Sequence, residues 1–424
     1  MLFWKKESQN LREDNPGWGD GGMSKINKVA VIGTGLMGHG VAQVAATAGQ
    51  EVKLVDISEA FLNRAVLNIR WSLEKFFEKA LITESPEAIL KRITSTTDLS
   101  KAVKDADLVI EAVPEDIDLK VKVLAEIDTA APSHTLLTSN TSSLPITVLA
   151  QATKRPERLA GMHWMNPPVL MKLVELVKGA GTSEETLQTL IDLCQQCYKK
   201  EVVLARKDVW CFLTGRAHMG WSLGTAYLYH TGEASAEEID AVARYKMGLP
   251  MGPFELADFT GANEIRMYGL RSIKKDLEKY NSFEPWEAFF KAFEYITEVV
   301  SKPMVEKGLL GIKAGRGFYT YSEPGRYKKV EISRELVDKV NPAKALAIAA
   351  NTSAWCITHG IGSREDVEKS FKLSYGWPKA IFEFVKEYGP ENIIKELWHG
   401  LETAPEPMKS ICDPDPLLLE MINA

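Results

Sequence analysis

The sequence predicts an α/β domain built on a mostly parallel sheet, followed by two all-α domains that repeat one another. Three observations predict this. Short β-branched runs alternate with helical stretches up to residue 206, and strands then disappear. From residue 207 onward a set of residues recurs at a fixed offset, as in Ser235 and Ser363 (363 − 235 = 128).

Residues 1–25, with PGWGDGG among them, read as a flexible leader whose apolar opening is too short for a secretory signal; Met23 is a second candidate start. Order begins with the strand KVAVIG, then Gly33-Thr34-Gly35-Leu36-Met37-Gly38, a helix to about Ala48, and the strand EVKLV ending at Asp56. A GxGxxG alone is weak evidence. With a strand before it, a helix after it and an acid 18 positions beyond the last glycine (56 − 38 = 18), it becomes the fingerprint of a Rossmann-type dinucleotide-binding domain. Gly33 allows the tight turn, Gly35 lets a pyrophosphate approach, and Gly38 permits close packing of helix on strand, with Leu36 and Met37 in the loop between. The helix N-terminus offers free N–H groups to phosphate. Asp56 would accept bonds from a ribose and repel a 2′-phosphate, which selects NAD over NADP.

Residues 58–92 read as two consecutive helices. Ser72, Lys75 and Lys79 fall on one face of the first, as a seat for a phosphate-bearing tail or as a merely solvated face, which these residues alone favour. Alternation resumes with a strand at Leu108–Val113, a helix at Leu119–Ala130 and the strand HTLLTS. The cluster Asn140-Thr141-Ser142-Ser143 at that strand's end suits ligand contact, and equally an ordinary turn. Two apolar runs follow within 159–177, with His163 in the first and Glu175 in the second. A carboxylate inside an apolar strand is costly unless paired. An imidazole on the neighbouring strand is the simplest partner, and the pairing would fix its tautomer and favour its protonated form. A satisfied core histidine is the alternative for His163 taken alone, and a strand-end position reaching solvent is the alternative for Glu175. A helix over Thr182–Lys199 and the strand EVVLA complete a nucleotide domain at 26–206.

The first helical domain spans 207–322 and its divergent copy 335–424. MGLPMGPFELAD in the first becomes SYGWPKAIFEFVK in the second, so the second reads as a packing partner without its own contact to substrate. A hydrophobic content of 45% and a charged content of 25% match an ordinary globular chain. The net charge of −6 argues against nucleic acid as a main partner, and no apolar run is long enough to span a membrane. Cys194 and Cys197 lack a second pair to complete a ligand set, so no metal site is expected; five scattered thiols suit a reducing, cytoplasmic setting.

Six stretches, VAVIGTGLMGHGVA, VIEAVPED, SNTSSLPIT, LAGMHWMNPPVLMKLVELV, GLPMGPFELAD and KAGRGFYTY, resemble the L-3-hydroxyacyl-CoA dehydrogenase family over about Lys28–Tyr321. The tail resembles the second helical repeat of longer, multifunctional relatives. The resemblance implies reversible, NAD-dependent oxidation of an (S)-3-hydroxyacyl-CoA of short chain, such as 3-hydroxybutyryl-CoA, to the 3-ketoacyl-CoA in fatty-acid β-oxidation. It implies His163 as general base, Glu175 as its support and Ser142 as a donor to the substrate oxygen. It further implies CoA contacts at Ser72 and Lys79, and NAD contacts at Glu115, Lys120 and Lys313, with Asn166 supporting the nicotinamide end. Single-repeat members dimerise through the helical domain, so an internal copy points to a monomer, with a homodimer as the alternative. One departure stands out: Gly215 occupies the position of the family's active-site asparagine. Loss of one such donor costs on the order of 3 kcal/mol, about a hundredfold in rate. The competing readings are a dehydrogenase of free 3-hydroxy acids and a catalytically weakened NAD- or acyl-CoA-binding relative.

Overall fold

The computed structural model describes residues 26–280 and 287–422; the expected leader at 1–25 lies outside them. Eight strands form one sheet: β1 (Lys28–Ile32), β2 (Glu51–Val55), β3 (Ile93–Thr96), β4 (Leu108–Glu111), β5 (Leu136–Ser139), β6 (Leu159–Trp164), β7 (Leu173–Val177) and β8 (Glu201–Ala205). Their order is β3-β2-β1-β4-β5-β6-β7-β8. All pairs are parallel except β6 with β7, so the last two strands run against the rest. The first six strands follow the dinucleotide-binding order.

Both faces of the sheet are covered, which is why its strands read as continuous apolar runs. Val29, Val31 and Leu54 pack under helices α1 (Gly38–Thr47) and α2 (Glu59–Glu78). Ala30, Ile32 and Val109 face the other way, into a core that continues without interruption into the helical half. The expected helices over 58–92 are α2 and Pro86–Leu90. The sequence reading misses β3. Its ITST is short, polar and only half-buried at the sheet edge, and pairing with Val52–Val55 supplies the order that local pattern does not. Strand β4 stops at Glu111, two residues early, because the Val113 N–H donates to the Glu111 carboxylate at 2.7 Å instead of to a neighbouring strand.

After β8 the regular elements among the described residues are helices, apart from isolated bridges at Gly311, Arg316 and Thr320. The helix Thr214–His230 packs along Pro342–Thr358, and these ranges are offset by 128 residues at both ends (342 − 214 and 358 − 230). Contact is close because Gly220 lies in the seam: a Cβ there would stand 2.0 Å from Thr352 Oγ1 and 3.0 Å from the Ile348 carbonyl. That Thr352 hydroxyl is itself tied to Ile348, so it has little room to yield.

Two buried carboxylates explain the stretches GLPMGPFELAD and KAGRGFYTY as structural devices. Asp240 accepts the N–H groups of Phe254 and Glu255 and the Tyr319 hydroxyl, at 2.8–3.0 Å. Asp258 accepts the N–H groups of Phe318 and Tyr319. Gly252 and Gly317 are small because a Cβ at either would strike these carboxylates. Burial, opposed by the hydrogen bonds, raises Asp240 from 3.8 to about 7. The folded state therefore holds a proton that the unfolded state releases. This group's contribution to stability is full below pH 3.8 and is lost as pH rises through about 7. Denaturation midpoints across that window should fall less steeply with pH in Asp240→Asn than in the wild type; parallel curves would show that Asp240 does not titrate there.

Candidate active site

His163 and Glu175 are directly opposed across the β6–β7 ladder, the one antiparallel pair of the sheet. The His163 Nδ1 lies 2.9 Å from Glu175 Oε2, and Glu175 is 0% exposed, which removes the solvent-reaching alternative. The other carboxylate oxygen, Oε1, accepts the backbone N–H groups of Leu213 and Thr214, both at 2.8 Å. These N–H groups open the helix Thr214–His230, whose positive end suits an anion. A buried carboxylate is thus fully engaged, by an imidazole on one oxygen and a helix start on the other. The chain reaches this arrangement through two successive residues in the left-handed region, Cys211 (φ 61°) and Phe212 (φ 53°). Each costs about 1–2 kcal/mol for a residue with a Cβ, a strain held at the point where the helical half meets the sheet.

Beside this pair, the polar loop after β5 is organised by two further carboxylates. Glu111 accepts from Lys120 Nζ (2.7 Å) and Ser139 Oγ (2.5 Å), and the buried Lys120 also donates to the Val113 carbonyl. Glu115 accepts from the Thr141 hydroxyl (2.6 Å) and the Ser142 N–H (3.0 Å), while the Ser142 hydroxyl is only 3.4 Å away, a long contact that leaves it free to turn. Burial raises the Glu115 pKa, but Lys120 and the donors from Thr141, Ser142 and Ser143 outweigh it and hold the carboxyl below its usual range. Asn140 Oδ1 accepts the Trp164 N–H at 2.8 Å and so ties this loop to the strand carrying His163.

The glycine loop lies across the same opening. Gly33 has φ +92° and no room for a side chain, since a Cβ would meet the Ala112 carbonyl at 2.6 Å; a Cβ on Gly38 would meet the Gly33 carbonyl at 1.8 Å. A Cβ on Gly35, by contrast, would meet nothing within 4 Å. Two glycines are therefore needed by the protein and one faces open space, which fits a nucleotide pyrophosphate against the backbone. At the end of β2, Asp56 accepts the Thr34 N–H and hydroxyl and the Ile57 N–H, which fixes its carboxylate beside the glycine loop.

These groups line one cleft of about 1540 Å³ between sheet and helices. It brings together His163, Ser142, Asn166, Gly33, Gly35, Leu36, Met37 and Asp56, with Glu115, Lys120 and Gly215. Gly38 and Glu175 support it from behind. Ser72, Lys79 and Lys313 stand outside its lining, and Lys313 pairs with Glu264. The cleft instead takes Arg64 and Asn68 from α2. The spacing 64, 68, 72 continues one helix face outward, so extending the Ser72 stripe by two turns toward the N-terminus would have found both. Lys75 on the same helix is engaged by Glu78 at 2.7 Å. From the second helical segment, expected to be a packing partner without its own contact to substrate, Tyr375 on the helix Arg364–Tyr375 lies in the cleft lining.

A glycine-loop nucleotide site facing a carboxylate-held imidazole defines an NAD-dependent dehydrogenase. Residues 28–209 match the family model of the 3-hydroxyacyl-CoA dehydrogenase NAD binding domain, and residues 212–321 match that of its C-terminal domain. The chain belongs to the 3-hydroxyacyl-CoA dehydrogenase family, with NAD as its cofactor. The mitochondrial hydroxyacyl-coenzyme A dehydrogenase of Mus musculus is 38% identical over 303 residues, 70% of this chain and 91% of that protein. A probable 3-hydroxybutyryl-CoA dehydrogenase of Bacillus subtilis is 36% identical over 70% of this chain and 99% of its own length. The crystal structure of 3-hydroxybutyryl-CoA dehydrogenase from Escherichia coli K12 superposes with a TM-score of 0.79 at 26% identity, covering 94% of this chain and 99% of that one. Among the described residues no helix is long and apolar enough to cross a membrane.

The glycine geometry separates a cofactor effect from a folding effect. Gly35→Ala should keep the wild-type melting temperature without NAD and weaken NAD binding by about tenfold or more. Gly38→Ala should lower the melting temperature itself. Unchanged NAD affinity in Gly35→Ala, measured by calorimetry, would place the pyrophosphate elsewhere.

Proposed function

We propose that the chain oxidises short (S)-3-hydroxyacyl-CoA thioesters to 3-ketoacyl-CoA, reversibly, with His163 as the general base. The observation that carries this is the engaged Nδ1 of His163: with Glu175 holding that nitrogen, Nε2 is the one left for the cleft. His163 Nε2 takes the proton from the C3 hydroxyl, and Glu175 offsets the imidazolium charge that develops. NAD, when bound, would supply the nicotinamide that accepts the hydride as the C3–H bond breaks. Gly35 and Asp56 hold it on a loop shaped by Gly33 and Gly38, with Leu36, Met37, Glu115 and Asn166 around it and Lys120 supporting that wall through Glu111. Ser142 turns its hydroxyl from the long Glu115 contact to donate to the C3 oxygen. The CoA moiety follows the α2 face from Arg64 and Asn68 toward Ser72 and Lys79. A free 3-hydroxy acid would leave that face unused.

Gly215 sets the handicap. A Cβ there would meet only Cys211 Cβ, at 3.2 Å, so a side chain is nearly accommodated. With (S)-3-hydroxybutyryl-CoA and NAD, His163→Ala should abolish NADH formation, and Gly215→Asn should raise kcat by up to about a hundredfold. Turnover retained in His163→Ala would end the assignment of the base. Wild-type turnover of the free acid in preference to the thioester would favour the CoA-independent reading.

The domain division at 206 and at 322–335 belongs to the same proposal, with the segment 335–424 as a divergent copy of 207–322. It is supported by the shared 128-residue offset and by capping boxes at both Ser235 and Ser363. Packing of Thr214–His230 on Pro342–Thr358 then takes the place of a partner subunit, and the chain is a monomer. Light scattering at the mass of one chain is expected; a dimer mass would overturn this substitution.

A further inference from the structure

Resting on that reading of the reaction, a second polar site in the cleft narrows the substrate class. The helix Thr214–His230 presents Gly215, Met219 and Ser222 to the cleft at i, i+4 and i+7. Ser222 is therefore about 10 Å along the helix from the reaction centre at Gly215. There Arg266, from the helix Ala262–Tyr280, donates to the Ser222 hydroxyl. Among the described residues no carboxylate pairs with Arg266, and the nearby Glu264 is engaged by Lys313. Trp210, Met219, Ile273 and Phe293 give the cleft apolar walls in this region. Gly269, one turn beyond Arg266, also lines it, and a Cβ there would meet nothing within 4 Å, so room is left beside the guanidinium.

The other groups at this end carry no charge to oppose it. His218 stacks on Tyr375 with ring centroids 3.4 Å apart. Burial, and secondarily Arg266, push its pKa down to about 3, so it is neutral at physiological pH. Burial lowers Arg266 to about 10, which leaves it a cation. A half-buried guanidinium with one neutral partner is a costly group to hold without an anion. Its planar fork matches a carboxylate on two bonds.

We propose that Arg266 and Ser222, closed in by His218 and Tyr375, form a subsite for a carboxylate at the far end of the acyl chain, making ω-carboxylated 3-hydroxyacyl-CoA thioesters the preferred substrates. The methylenes lie along the apolar walls and the terminal carboxylate accepts from the Arg266 guanidinium. The second helical segment contributes through Tyr375.

The test compares (S)-3-hydroxysuberyl-CoA with (S)-3-hydroxyoctanoyl-CoA, equal in length and differing in the terminal carboxylate, using the full chain and NAD; five bonds from C3 to that carboxylate, with the hydrogen bond beyond it, span about 10 Å. The wild type should favour the suberyl thioester in kcat/KM by about ten- to a hundredfold, the strength of one charge-assisted pair, mainly through KM. Arg266→Met should bring that ratio close to one, and Arg266→Lys should retain part of it. Equal kcat/KM for the two in the wild type, or a ratio unmoved in Arg266→Met, overturns the proposal. The second outcome would point to the CoA phosphates as the anion that Arg266 meets. A calorimetric arm with suberyl-CoA and octanoyl-CoA, which lack the reacting hydroxyl, separates the subsite from the chemistry. If neither hydroxy thioester is turned over, the dehydrogenase reading fails. Tighter binding of suberyl-CoA that is lost in Arg266→Met then still supports the subsite, and equal binding overturns it.

Discussion

The Glu175 carboxylate is the point on which both halves of the molecule depend. One oxygen orients His163 across a strand pair, and the other accepts the first N–H groups of the helix Thr214–His230. A change at either end is felt at the other, because a carboxylate with no exposure has no water to fall back on. The reversed direction of β7 is what sets His163 and Glu175 side by side in register, and the left-handed turn at Cys211 and Phe212 delivers the helix start to the same carboxylate. The strand reversal and the backbone strain thus serve one hydrogen-bonded centre.

A second theme is the use of carboxylates as fasteners, three of them buried and Glu115 at the cleft surface. Glu111 locks Lys120 and Ser139 beneath the polar loop, Glu115 collects the donors of residues 141–143, and Asp240 and Asp258 clasp the segment 317–321 to the helical half. Each takes backbone or hydroxyl donors that would otherwise lie unsatisfied in loops. The cleft keeps its shape because its walls are irregular chain held at fixed points.

Much of this was legible in the residues themselves. The glycine loop has strict spacing and a mechanical reason for each member, and a carboxylate in an apolar run must find a partner, so Glu175 led to His163. What failed to show depends on tertiary contact. Strand β3 is ordered by its neighbour rather than by its own ITST. Lys120 falls at an NAD-contacting position by resemblance, and its place in the cleft wall with its ammonium turned inward to Glu111 is something nothing local signals. Arg266 and Tyr375 come from separate helices that only the packed chain brings to one place, and Lys313 follows Glu264 away from the cleft. Periodicity names the face of an element; it does not say which faces meet.

The placement of Tyr375 bears on how the protein is made. Synthesis delivers the eight strands and the glycine loop first, but one face of that sheet shares its core with the helical half and is completed only when those helices emerge. The helix Thr214–His230 then docks on Glu175 but leaves its other side, with Gly220, uncovered until Pro342–Thr358 arrives. The far wall of the cleft is completed last, by residues from the final stretch of chain. A chain that stopped before this stretch would lack Tyr375 and the cover over Gly220, and that side of the cleft would stay open to water.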